Sequence, residues 1–240
     1  MRARGGLLWI VPITVLAASI ALLAGVPWLF PFVCAAPACV HLWRCLARGA
    51  RAEALAGLLL WAAVLGICVT AAAFFWEERA ARAILHGPTY AGEMRTWIAT
   101  GIGRESDPAR FVPQHLLHLA IFAALALATA GAGALVMGSF LLGYMSFYVG
   151  SLAHGAAGCG PLTTALLAWN PWSLVRIVSF IVLGVVLSEP PLRRWRGVAG
   201  QAPAGRGRWI AVGLAGIVAD MLLKTALAPA WRGMLAACAG

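Results

Sequence analysis

Histidine and glutamate residues from separate segments of this chain could meet at one point and do chemistry there. His115 and His118 are three positions apart, a spacing that places both imidazoles on one face of a helix. Glu77 and Glu78 follow one apolar segment, and His154 lies near the far end of another. Successive spanning helices are expected to run antiparallel, which brings all five side chains to the same membrane face. Ionisable residues gathered at one depth of a membrane protein are typical of a functional site.

Two kinds of chemistry fit such a cluster. In the first, a glutamate takes a proton from water while an imidazole orients that water or stabilises the developing oxyanion, and no cofactor is required. In the second, His115 and His118, with His154 or a glutamate as the third ligand, bind a transition metal such as zinc, which takes three or four ligands of this kind. The H-E-x-x-H pattern of zinc proteases does not occur in the sequence. A polar residue at a membrane interface is the simpler explanation for any one of these histidines alone.

The last apolar segment carries a second polar group. Asp220 lies near its middle, and Lys224 follows one turn later on the same helical face. Arg176, in the sixth apolar segment, is another possible partner. A charge at bilayer depth costs about 2.5–3.5 kcal/mol on insertion scales and usually faces the bundle interior. We expect a buried ion pair that fixes the helix register, and an ion or proton path is the alternative.

The amino-acid composition predicts that the helices carrying these residues are surrounded by lipid. The chain has 240 residues, of which 62% are hydrophobic and only 11% are charged, and its mean hydropathy is +0.87. A soluble domain carries about 25% charged residues. The net charge of +10 does not indicate nucleic acid, because the basic residues lie between apolar segments. The sequence predicts an all-α polytopic transmembrane bundle that forms a single integral membrane domain over residues 1–240.

About seven segments have the length and apolar character of a spanning helix. They are Leu7–Gly25, Trp28–Leu46, Leu55–Trp76, His115–Leu135, Met137–Ala156, Trp172–Ser188 and Trp209–Ala228. Pro31 and Pro37 interrupt the second segment, so the number falls to six if residues 28–46 are re-entrant. Between the third and fourth segments lies a polar loop, residues 77–114. Within it, Met94, Trp97, Ile98 and Ile102 repeat at helical spacing and predict an interfacial amphipathic helix, which could be a lid or a docking surface.

Arginine placement predicts the orientation in the cell membrane. With a cytoplasmic N-terminus, ten arginines lie on the cytoplasmic side and seven on the other, and five of those seven share the 77–114 loop with acidic residues. The bias favours a cytoplasmic N-terminus and an external C-terminus. Cys159 and Cys238 then share the outer side, and the sequence leaves open whether they pair.

Short motifs resemble those of a known protease family. Residues 77–82 have the pattern E-E-x-x-x-R, residues 111–115 have the pattern F-x-x-x-H, and His154 follows an apolar helix that contains glycine. This order is similar to that of the CAAX-protease and bacteriocin-processing (CPBP) family of intramembrane glutamic proteases, over residues 70–158. The resemblance implies Glu77 or Glu78 as general base, together with Arg82, and His115 and His154 acting on the substrate carbonyl and on water.

Three functions remain open at this point. The first is a membrane-embedded hydrolase of the glutamic protease type, which acts on a peptide or membrane-protein substrate. The second is a transport protein that handles a metal or another ion. The third is a non-catalytic membrane subunit or assembly factor. In each case the lipid bilayer is a partner of the chain.

Overall fold

The computed structural model describes residues 9–196 and 205–239, and within these ranges the chain forms helices and no strands. The ten helices are α1 (Ile10–Ala24), α2 (Leu29–Ala47), α3 (Arg51–Phe75), α4 (Glu77–Ala83), α5 (Gly87–Thr100), α6 (Pro108–Ala128), α7 (Ala132–His154), α8 (Pro161–Ala168), α9 (Pro171–Trp195) and α10 (Arg206–Ala239). The all-α polytopic fold expected from the composition is confirmed.

Six of the described helices are long and apolar enough to cross a membrane, namely α2, α3, α6, α7, α9 and α10. Helix α1 is also apolar but has 15 residues, which span about 22 Å of a hydrocarbon layer that is about 30 Å thick. The first predicted segment begins at Leu7, outside the described residues. Helix α2 is continuous through Pro37 and is one of the six. Among the predicted spans, α1 is therefore the one that falls below the length of these six. It nevertheless runs between the two ends of the bundle, because Trp9 at its start lies beside His41 near the end of α2, while α1 also contacts α4, which follows the far end of α3.

Helix α7 packs against more neighbouring helices than the others and lies at the centre of the bundle. Its contact with α3 is close because Gly150 has no side chain. A Cβ atom at Gly150 would lie 2.2 Å from the carbonyl oxygen of Thr70 and 2.7 Å from the Cβ of Ala73. Small residues allow helices to approach in lipid, where van der Waals packing replaces the hydrophobic effect between them.

Long-range contacts define the two ends of the bundle. At one end, called here the Arg51 end, the guanidinium of Arg51 contacts the carboxylate of Glu189 at 2.5 Å. At the other end, called here the disulfide end, Cys159 and Cys238 form a disulfide. The disulfide joins the segment after α7 to the C-terminal part of α10, and it answers the question that the sequence left open. Helices α4 and α5 lie at the disulfide end.

Helix α10 holds α5 in place at the disulfide end. It has 34 residues, about 51 Å, and therefore extends well beyond the thickness of the hydrocarbon layer. From this extension Arg232 donates hydrogen bonds to the carbonyl oxygens of Trp97 at 3.2 Å, Ile98 at 3.0 Å and Ala99 at 2.9 Å. A cation there satisfies the last carbonyls of α5 and interacts favourably with its dipole. Met94, Trp97 and Ile98 are buried, as their spacing suggests. The prediction was wrong for Ile102, which is exposed because α5 ends at Thr100, before Gly101.

Helix α6 begins earlier than its apolar run indicates. Hydropathy places the start at His115, whereas the helix starts at Pro108. Asp107 precedes it, and its side chain accepts a hydrogen bond from the backbone N–H of Ala109 at 3.0 Å. An aspartate cap followed by proline in the first turn favours a helix start. His115 and His118 therefore lie in the third and fourth turns of α6 rather than at its entry.

Candidate functional site

The side chain of His115 is held between helices α6 and α9. Its imidazole is buried, and Nδ1 donates a hydrogen bond of 2.5 Å to the carbonyl oxygen of Phe111. On the other side, the guanidinium of Arg176 donates a hydrogen bond to Nε2 of His115. Arg176 also donates to the hydroxyl of Ser173, at 3.0 Å. Both ring nitrogens of His115 are thus engaged, and His115 fixes one side of the Arg176 fork.

Asp220 and Lys224 of α10 add two buried charges to this group, since their exposed fractions are 0% and 1%. The ammonium of Lys224 lies 2.9 Å from the carboxylate of Glu105 and 4.5 Å from the centre of the Phe111 ring. A carboxylate oxygen of Asp220 lies 3.6 Å from Nε2 of His115, and neither of its oxygens has a hydrogen-bond partner among the described residues. Lys224 therefore takes its closest ion-pair partner from the loop before α6, rather than from Asp220 as the spacing suggests.

A cavity of about 370 Å³ at the disulfide end is called here the charged cavity, and His115, Arg176 and Lys224 line it, whereas Asp220 does not. Four basic and two acidic residues are among those that line it: Arg104, Arg110, Arg176, Lys224, Glu93 and Glu105. Tyr90 of α5 also lines it, and burial raises the pKa of this phenol well above its usual value, so the side chain is uncharged. Basic side chains thus outnumber acidic ones by two on the wall itself. Two further carboxylates lie outside this lining, that of Asp107 at 3.1 Å from Arg110 and that of Asp220 beside His115.

A second, apolar cavity lies deeper in the bundle. It has a volume of about 80 Å³ and reaches Gly131 and Ser188, near the Arg51 end. The two cavities share five lining residues, which are His115, His118, Tyr144, Met145 and Arg176. The Arg176–His115 pair therefore lies where a polar chamber meets an apolar one.

The two glutamates predicted at the site lie away from His115. Glu77 accepts a hydrogen bond from the hydroxyl of Ser151 and lies 3.3 Å from the guanidinium of Arg95. Glu78 and Arg82 are exposed on α4. Glu77 is thus joined to α5 and α7, and none of these three residues lines the charged cavity or the deeper apolar one.

The three predicted histidines also separate. His118 is partly buried and borders both cavities, whereas His154 is exposed and packs edge-on against Phe74, with ring centres 5.8 Å apart. Within residues 9–196 and 205–239, no group of three or more His, Cys, Asp or Glu side chains is placed to hold a metal ion. The structure thus brings His115 and His118 to the same cavities but leaves His154 apart from them.

The charged cavity also contains residues whose role the sequence did not reveal. Glu105 lies in the 77–114 loop, yet its partner Lys224 lies 119 positions later in the chain. Tyr90 and Tyr144 contact each other with ring centres 4.7 Å apart and close one side of the cavity. No short motif marks these contacts, because they depend on how α5, α7 and α10 pack together.

Comparison of the chain with protein-family models, with curated proteins and with solved structures finds no match. The function must therefore be argued from the site itself.

Proposed function

We propose that this multi-pass membrane protein binds the anionic head of a membrane amphiphile in the charged cavity. The observation that carries the proposal is the position of Arg176, which lines both the charged cavity and the apolar cavity behind it. A ligand that fills both spaces has a charged end and a hydrocarbon end. The proposal differs from the metal- or ion-handling transport protein that the sequence left open, because its ligand is a lipid-like anion and it includes no transport step.

The charge of the cavity favours an anion over a cation. Basic residues outnumber acidic ones on its wall, and Glu105 is already paired with Lys224. Arg176 has five N–H donors in a planar fork that matches the oxygens of phosphate or carboxylate. Its contacts with His115 and Ser173 orient the fork and leave donors for a ligand. Weak screening in a partly buried site strengthens such a contact.

The intramembrane protease hypothesis remains a prediction with less support than anion binding. It requires Glu77 or Glu78 to act together with His115 and His154 on one substrate carbonyl. Glu77 is engaged with Ser151 and Arg95, Glu78 is exposed, and His115 is engaged with Arg176. The groups that would share a reaction thus have separate partners.

We further propose that the disulfide end faces the outside of the cell membrane, with the N-terminus in the cytoplasm. Disulfides form and persist in oxidising compartments, and the arginine bias gives the same orientation. The charged cavity would then open to the outer side. An alkaline phosphatase domain fused after residue 240 should be active, because this enzyme folds only outside the cytoplasm. An inactive fusion in an intact chain would reverse the assignment.

The binding proposal is tested with purified protein in phosphatidylcholine nanodiscs and dodecyl phosphate as the probe. Arg176→Gln should lower the affinity about 10- to 100-fold, the range expected for losing hydrogen bonds to a charged group. Binding is followed by tryptophan fluorescence, because Trp97 lines the cavity. Arg79→Gln, on the exposed face of α4, is the matched control and should bind as the native chain does.

A second variant distinguishes loss of binding from loss of folding, in case Arg176→Gln does not fold. Arg104 and Arg110 line the same cavity but are exposed, so replacing both with glutamine should preserve the bundle and still weaken binding. Unchanged affinity in both this double variant and Arg176→Gln would overturn the proposal.

A further inference from the structure

A groove on the side of the bundle lies next to the deep apolar cavity. It has a volume of about 300 Å³ and is lined by residues of α3 and α9, with Leu142 of α7 at its base and Trp169 beside it. Four of its lining residues are apolar and exposed on the outer surface of the helices, namely Leu59, Ile67, Leu174 and Val178. In a spanning bundle such a surface faces hydrocarbon. This groove is called here the lateral groove.

The lateral groove and the deep apolar cavity share three lining residues, which are Ala62, Leu142 and Ile177. The deep cavity in turn shares Arg176 with the charged cavity. Ala62 is small, and α3 packs mainly on α7 while α9 packs mainly on α10. At the boundary between α3 and α9, these shared side chains therefore form an apolar wall between the lateral groove and the deep cavity that Arg176 lines.

The volumes limit where a hydrocarbon tail can lie. The deep cavity, with about 80 Å³, has room for roughly three groups the size of a water molecule. A tail of lipid length does not fit there, and the charged cavity is unfavourable for hydrocarbon because its charged groups would lose hydration. The lateral groove, with about 300 Å³, is a larger apolar space that adjoins the deep cavity.

We infer that the tail of the anionic ligand lies in the lateral groove, so that the ligand reaches Arg176 from the bilayer through the boundary between α3 and α9. This inference rests on the proposed function, and it names the ligand class as a long-chain anion dissolved in the membrane. The occupant of the groove is one hydrocarbon tail. The reason is that Arg176, whose positive charge is complementary to an anionic head group, lies where the deep apolar cavity meets the charged cavity.

The test compares a long and a short probe on one pair of variants. Ala63 lines the groove and is exposed, so Ala63→Trp should fill the groove with little effect on the core. Ala124 of α6 is also exposed and borders none of the three spaces, and Ala124→Trp is the matched control. The probes are hexadecyl phosphate, presented in phosphatidylcholine nanodiscs, and butyl phosphate, added from water.

Ala63→Trp should weaken binding of hexadecyl phosphate by about tenfold or more, because the indole occupies the space of the tail and forcing both into the groove carries the cost of overpacking. Binding of butyl phosphate should stay the same, because its head and short chain fit within the charged and deep cavities. Ala124→Trp should change neither affinity.

The other outcomes separate the two proposals. If Ala63→Trp leaves both affinities unchanged, the lateral groove does not hold the tail, and the inference is overturned. A helix of another protein that covers the groove would give this result. The proposal that the charged cavity binds the anionic head would be unaffected. An equal loss for both probes would also overturn the inference, because a distorted site would then explain the effect. If the native chain binds neither probe, the proposed function itself fails.

Discussion

The hydrogen bonds of His115 decide what its imidazole can do. Nδ1 donates to the carbonyl oxygen of Phe111, and Nε2 accepts from Arg176. A neutral imidazole has one donor and one acceptor nitrogen, and both are occupied. Binding a metal ion or taking a proton at Nε2 would first require that the bond to Arg176 break. His115 is therefore best understood as a positioning residue for the guanidinium.

Glu77 illustrates how a residue predicted to be catalytic can have a structural explanation. Its carboxylate connects α4 to Ser151 of α7 and to Arg95 of α5. Glu77→Gln should lower the free energy of unfolding by about 0.2–1 kcal/mol, because the ion pair is partly exposed and a glutamine oxygen can still accept from Ser151. Thermal unfolding in detergent measures this, and Glu78→Gln, at an exposed position, should have no effect.

The same two variants test the protease hypothesis. If Glu77→Gln unfolds at nearly the native temperature but abolishes cleavage of a membrane-protein substrate, the glutamate acts chemically and the structural explanation is insufficient. If both variants retain whatever activity the native chain has, intramembrane glutamic proteolysis is excluded.

At the scale of helices, the close approach of α3 and α7 depends on a single glycine. Gly150→Ala should destabilise the protein by about 1–3 kcal/mol, because the added Cβ would meet the Thr70 carbonyl oxygen at 2.2 Å. Gly138→Ala is a control on the same helix, since its Cβ would meet nothing within 4 Å, and alanine is the better helix former. Equal unfolding temperatures for the two variants would contradict this account of the packing.

The sequence predicts helices better than it predicts their ends. Hydropathy locates the long spans because burial in lipid acts over about 20 residues at once. The starts of helices depend on one or two residues, as Asp107 and Pro108 show for α6. The length of α10 beyond the predicted Ala228 depends on the contacts of Arg232 with α5 and on the disulfide at Cys238, which hydropathy does not register.

The site was less predictable than the spans, for a physical reason. Spacing along one helix put His115 and His118 on one face, because periodicity fixes which side chains share a face, and both residues line the charged cavity. The partners of these residues come from other helices, as Arg176 does for His115. Sequence patterns fix a residue's depth in the membrane but do not fix the rotation of each helix about its axis, and contacts between helices depend on both.

In the molecule as a whole, three neighbouring spaces change from apolar to charged. The lateral groove, the deep apolar cavity and the charged cavity follow one another through shared lining residues. The charged cavity lies at the disulfide end. There the extension of α10 contacts α5 through Arg232, and the disulfide joins α10 to the loop after α7. This succession of apolar and cationic spaces matches the two ends of an anionic amphiphile.

The most direct test of this account is the charge of the head group that the native protein prefers. Dodecyl phosphate and dodecyltrimethylammonium carry the same tail and opposite charges, and both can be titrated into the protein in phosphatidylcholine nanodiscs. The account predicts that the phosphate binds at least about tenfold more tightly, a difference of about 1.4 kcal/mol, and that added salt reduces the difference. Equal affinities, or tighter binding of the cation, would contradict it.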